Sequence, residues 1–121
     1  MSNLKFYQNK NDKTNFIVSN GDLVKDGDYI ELKANSVDAA VEKHVPVYEI
    51  VGDKINVTVG STVHPMSDEH YIMWIALVND TEVKMIKLKP SDSPVATFPY
   101  IKGSEIYAYC NLHSLWKSTV E

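Results

Sequence analysis

Cysteine is almost missing from this sequence: Cys110 is the only one in 121 residues. An internal disulfide is excluded, and a lone thiol fits a reducing compartment or a metal site better than an oxidised secreted domain. Long apolar runs are missing too. The longest, residues 72–78, is far too short to cross a bilayer. Residues 1–20 are polar, rich in Lys and Asn, and contain no apolar core of signal-peptide length. The expectation is a cytoplasmic protein with no membrane partner. There is no basic stripe either. The lysines are scattered singly and the formal net charge is −4, which argues against a nucleic-acid partner. What remains is an ordinary globular composition, 44% hydrophobic and 23% charged. At this length it supports one main domain with room for a small appendage.

Strand signals dominate. In K-I-N-V-T-V-G, residues 54–60, Ile55, Val57 and Val59 alternate with polar partners, as in a half-buried strand. Residues 71–78 form a continuous apolar run rich in aromatic and β-branched side chains, which suits a strand buried on both faces. Asn79-Asp80-Thr81 reads as a turn and residues 82–89 as the returning strand. Further short strands are expected over 47–51, 95–98 and 106–110, with turns at Gly52-Asp53 and Lys102-Gly103. Only residues 36–41 (S-V-D-A-A-V) read as helical, for a turn or two. The whole predicts an all-β sandwich. Residues 1–35 differ in character: short apolar clusters at Phe6-Tyr7, Phe16 to Val18, Leu23-Val24 and Tyr29-Ile30 are separated by polar turns. They predict a small β module (1–35) ahead of the main domain (36–121).

The chain has four histidines, His44, His64, His70 and His113. Each falls at a boundary between strand and loop, and Cys110 precedes His113 by three positions in C-N-L-H. Singly these are weak signals, because a lone His is usually a surface or core residue and a lone Cys a small buried apolar one. C-N-L-H is stronger, since it joins a thiolate and an imidazole over a short loop. Together the set leaves no histidine for a bland role. Four imidazoles and one thiolate exceed the four ligands of structural zinc, which usually include more sulfur. Blue copper takes two histidines, a cysteine and an axial methionine, and no methionine follows His113. Four nitrogens in a plane with one axial sulfur leave a position open, which suits redox iron with thiolate push.

The segments D-A-A-V-E-K-H-V-P-V-Y-E, T-V-G-S-x-x-H-P-M, E-H-Y-I-x-W-I, L-K-P and A-Y-C-N-L-H-x-L-W-K occur in that order between Ser36 and Lys117. In them the chain resembles the superoxide reductases of the desulfoferrodoxin and neelaredoxin family. The resemblance implies an immunoglobulin-like sandwich, with iron held equatorially by His44, His64, His70 and His113 and axially by Cys110. It implies superoxide as substrate, hydrogen peroxide as product, and a small electron-donor protein such as rubredoxin as partner. Glu42 and Lys43 match the family's pair beside the iron: Lys43 to attract the anion, Glu42 to occupy the open position after oxidation. By themselves, both also read as an exposed pair on a loop. Asn111 and Leu112 are expected to shape hydrogen bonds to the sulfur. Trp74 and Trp116 are expected in the core or the site wall, and Pro46 and Pro65 are expected to fix the loops that aim His44 and His64.

The first 35 residues depart from the pattern. Two-iron members carry a desulforedoxin-like domain there, with four cysteines. Here Asn9 and Asp12 stand at the positions of the first pair, Lys25 and Asp26 at those of the second. None is a soft ligand, so the module is expected to bind no iron and to serve as a scaffold or as the contact of a homodimer. The rival readings are a cupredoxin-like or iron electron-transfer protein without superoxide chemistry, and a structural zinc or non-metal module. A saturated metal would mark the electron-transfer protein.

Overall fold

The protein is described here by a computed structural model covering residues 4–21 and 27–121. Ten strands and one helical turn follow in order: β1 (Leu4–Asn9), β2 (Asp12–Asn20), β3 (Tyr29–Leu32), α1 (Val41–His44), β4 (Pro46–Val51), β5 (Lys54–Val59), β6 (Ile72–Val78), β7 (Val83–Lys87), β8 (Val95–Pro99), β9 (Glu105–Cys110) and β10 (Ser114–Thr119). They divide into two compact units, Met1–Lys33 and Ala34–Glu121. The first unit is one antiparallel sheet in the order β2-β1-β3. Of the apolar clusters read there, Leu23-Val24 lies outside the described residues.

The second unit is an immunoglobulin-like sandwich of two antiparallel sheets, β10-β9-β6-β7 and β4-β5-β8. Strand period sets which side chains meet between them. On β5, Ile55, Val57 and Val59 are buried while Lys54 and Asn56 are exposed. They join Ala96 and Phe98 of β8 against Ile75 and Leu77 of β6 and Ile106, Ala108 and Cys110 of β9 in one core cluster. Each Val, Ile, Leu or Phe side chain among them contributes about 1.5–3 kcal/mol when taken from water. The long apolar run is a central strand: Trp74 through Val78 are all buried, and β6 pairs with both β7 and β9.

Two elements differ from the sequence reading. The helical turn lies over α1, not over residues 36–41. Val45 N–H donates to Val41 O at 3.0 Å, and Val45 is then extended ahead of Pro46, which ends the helix. Helix α1 itself starts at Ala40 with no side-chain cap, so the single turn draws no support from a capping residue. Strand β10 was not anticipated. Its S-L-W-K-S-T pattern is short and half polar, and it is held by the ladder with β9, from Ser114 opposite Cys110 to Thr119 opposite Glu105.

Candidate metal centre

Each of the five residues is delivered by its own local geometry. His44 is the last residue of α1, and its ring Nδ1 lies 2.7 Å from Ala40 O. His64 follows the turn after β5, with its amide on Val59 O at 2.8 Å and its Nδ1 2.7 Å from Pro65 O. His70 closes a tight turn with Ser67, whose amide donates to His70 O at 3.0 Å. Cys110 ends β9, and a three-residue loop, Asn111 to His113, leads to Ser114 at φ 66°, where β10 begins. That tight hairpin leaves Cys110 Sγ 3.8 Å from His113 Nδ1.

The four rings form a closed circuit. Neighbouring centroids are 4.7 Å apart for His44–His64, 4.6 Å for His64–His70, 5.1 Å for His70–His113 and 4.7 Å for His113–His44. The interplanar angles run from 71° to 81°, so each ring presents its edge to the next. His44 and His70 face each other across the circuit at 6.4 Å, close to the diagonal of a square with those sides. One ligand atom from each of His44, His64, His70 and Cys110 falls within 4.8 Å of the others, the only such group among the described residues. His113 joins through Nδ1, 3.0 Å from His44 Nε2.

The donor chemistry fits a cation. A carbonyl only accepts, so the Nδ1 atoms of His44 and His64 carry the protons that face Ala40 O and Pro65 O. Their Nε2 atoms are then both lone pairs, 3.2 Å apart with no proton to share. His70 Nε2 is buried with no hydrogen-bond partner. His113 Nδ1 could donate to His44 Nε2, but His64 Nε2 and His70 Nε2 are left without a donor, which is costly unless a positive centre is shared among the nitrogens. Burial also favours the neutral form of His44, His64 and His70. It holds His64 down to about 4, helped by the neighbouring imidazoles, and it lowers His44 and His70 from the ordinary histidine value. Neutral imidazole is the form that ligates.

Known proteins carry the same arrangement of sequence. The family described as Desulfoferrodoxin matches residues 36–119. The chain belongs to the desulfoferrodoxin family. A desulfoferrodoxin of Clostridium acetobutylicum is 42% identical over 123 residues, covering 98% of each chain. Among solved structures, the superoxide reductase of Treponema pallidum matches with TM-score 0.75 and 31% identity over 96% of this chain and 98% of that one. A superoxide reductase of Giardia intestinalis matches with TM-score 0.59 and 35% identity over 66% of this chain and 98% of that one. The fold is of superoxide reductase type, and this family binds iron.

Within this family member, Glu42 and Lys43 sit exposed on α1, directly before the buried His44. The Lys43 charge lowers the pKa of both His44 and His70, whereas Glu42 raises that of His44. The Glu42 carbonyl accepts from Thr62 N–H at 2.8 Å and from the Ser61 hydroxyl at 3.2 Å, which ties α1 to the turn carrying His64. Trp116 forms a wall: its ring stacks on His44 at 5.0 Å, and its Nε1–H donates to His113 O at 2.8 Å.

Sequence reading missed the part played by Gly60. A Cβ there would lie 2.7 Å from Glu42 O and 2.9 Å from the Lys43 carbonyl carbon. A glycine at the end of an alternating strand is the available signal, since it marks close backbone approach. In the N-terminal unit, the side chains at the expected cysteine positions make local turns. Asn9 Oδ1 accepts from Asn11 N–H at 2.9 Å; Asp12 Oδ1 accepts from Thr14 N–H at 3.0 Å and from its hydroxyl at 2.6 Å. These bonds hold the Asp12 carboxyl below its usual range. Lys25 and Asp26 lie outside the described residues.

Proposed function

We propose that this protein is a superoxide reductase, with His44, His64, His70, His113 and Cys110 holding one iron per chain. The observation that carries the reading is the near-square circuit of four imidazoles with the Cys110 sulfur beside it. Bound there, iron would supply one-electron reducing chemistry toward superoxide, giving hydrogen peroxide with two protons from solvent. Cys110, fully buried in the core cluster, would hold the metal as the thiolate, a donor that favours electron release. Four neutral imidazoles and one thiolate leave a ferrous site with a net charge of about +1 by simple counting. Such a pocket attracts a small anion although the chain as a whole is at −4.

Lys43 adds to that attraction. An ammonium ~5 Å from the anion contributes about 3 kcal/mol at an effective dielectric near 20, and less in salt. Glu42, two positions before His44, would supply a carboxylate to offset positive charge gained at the site. The donor in turnover is a small electron-transfer protein of the rubredoxin kind, and the setting is the cytoplasm. The desulforedoxin-like module over residues 1–35 holds no iron. Its edge strands β2 and β3 serve to pair two copies of the chain.

The division of labour between Glu42 and Lys43 tests the mechanism. Replacing Lys43 with Ile slows the second-order reaction with superoxide, and the wild-type rate is the more salt-sensitive of the two. Glu42→Ala leaves that rate nearly intact but changes the resting ferric spectrum and admits exogenous anions. Pulse radiolysis across a salt series reads both. Equal rate losses in the two variants, or an unchanged ferric spectrum without Glu42, would show the roles to be wrongly assigned.

A further inference from the structure

His70 is held differently from its neighbours. His44 and His64 are each oriented by a ring proton donated to a backbone carbonyl. His113 is anchored next to its ring by Trp116, which donates to its carbonyl. The His70 ring makes no hydrogen bond among the described residues, and its Nε2 is buried and unpartnered. Its direction must therefore come from its backbone.

That backbone is gripped on both sides by one residue of the Cys110 loop. The Asn111 side chain donates through Nδ2–H to Glu69 O at 3.0 Å and accepts through Oδ1 from Tyr71 N–H at 3.0 Å. Asn111 N–H also donates to Tyr71 O at 3.2 Å. The reason is visible in the sheet. β6 and β9 pair as far as Ile72 opposite Cys110, and there β9 turns away into the loop. The carboxamide has the donor and acceptor of a peptide group, so it continues the ladder past the last strand residue. Glu69 and Tyr71 are the two neighbours of His70. The side chain next to Cys110 thus fixes where His70 leaves the sheet, relative to the sulfur.

We infer that Asn111 is the positioning residue for His70, a carboxamide standing in for a strand peptide so that His70 and Cys110 meet one metal ion at a fixed separation. This rests on the reading of His70 as a ligand. The carboxamide is turned to the His70 segment.

Removing such a group should act on the metal chiefly by way of His70. The test is titration of the full chain with cobalt(II), followed by ferrous iron under anaerobic conditions, reading affinity, the ligand-field bands and the thiolate charge-transfer band. Asn111→Ala is expected to weaken binding by roughly 10- to 100-fold and to shift the ligand-field bands. Asn111→Asp is the milder change, since it keeps an acceptor for Tyr71 N–H and loses the donor to Glu69 O; it should fall between wild type and Ala. In a His70→Ala background, Asn111→Ala should cause no further loss, because residues acting through one another are not additive. Full affinity and unshifted bands in both Asn111 variants would overturn the inference and leave the metal reading standing. So would an equal loss with and without His70, which is the mark of a merely structural role. If His70→Ala itself binds cobalt like wild type, the ligand reading fails and the inference falls with it.

Discussion

Trp116 does two jobs at the metal centre, and they separate by substitution. Its ring packs flat against His44, and its indole N–H holds the His113 carbonyl. Trp116→Phe keeps a ring at that place but drops the hydrogen bond, so a loss of about 1 kcal/mol is expected in urea unfolding. Trp116→Ala removes a wholly buried indole and should cost about 3–5 kcal/mol. At this scale the sequence was most informative about the rare residue types. Four histidines and a cysteine, each at a strand boundary, pointed to one site before any fold was in view; His44, His64, His70 and Cys110 form a potential metal group, and His113 lies beside it. Asn111 and Gly60 were not legible in the same way. An asparagine in a loop and a glycine after a strand have many ordinary uses. Their parts here depend on which backbone lies alongside: Glu69 and Tyr71 for one, α1 for the other.

Elements explain why the site tolerates little movement. Helix α1 is a single turn, held by its own Val45–Val41 bond and by the docking of the Glu42 carbonyl on the turn after β5. Gly60 allows that docking. In Gly60→Ala the new methyl would meet backbone atoms of Glu42, Lys43 and Val45 at 2.7 to 3.0 Å, so α1 must shift with His44 at its end. The expected cost is about 1–3 kcal/mol, with an altered visible spectrum in the iron-loaded protein. A melt and a spectrum check both. Strand β9 carries a separate polar cluster. Glu105, 5% exposed, accepts from Lys117 Nζ at 2.9 Å and lies 3.4 Å from the Tyr107 hydroxyl. Burial, then the Glu105 charge, push Tyr107 up to about 12. Between its ordinary value of 10.0 and about 12 the unfolded chain releases a proton that the folded chain keeps. The unfolded state binds fewer protons there, so Tyr107's contribution is complete below pH 10 and is lost as pH rises toward 12. Melting curves across pH 9 to 11.5 should fall less steeply for Tyr107→Phe than for wild type. The central strands were readable from alternation and apolar runs, because burial dictates those patterns. The place of α1 and the existence of β10 were not. Both are fixed by tertiary partners, Pro46 and the α1–turn contact for one, the Cys110–Ser114 hairpin for the other.

The whole molecule sets the terms on which an anion reaches the centre. For a chain at −4, arrival of an anionic substrate of the proposed kind would depend on local positive charge near His44, which Lys43 directly precedes. The iron content per chain is also a whole-molecule property. Asn9 and Asp12 are engaged in turns of their own hairpin, so quantitative assay of reconstituted protein should give one iron per chain and not two. The most direct test of the central claim is the stoichiometry of one encounter with superoxide. Anaerobically reduced, iron-loaded protein is mixed with a limiting amount of superoxide, and ferric centres, hydrogen peroxide and oxygen are measured together. A reductase gives one oxidised centre and one peroxide for each superoxide consumed, with no oxygen evolved. Half a peroxide per superoxide with oxygen released, or iron that stays reduced, would contradict it.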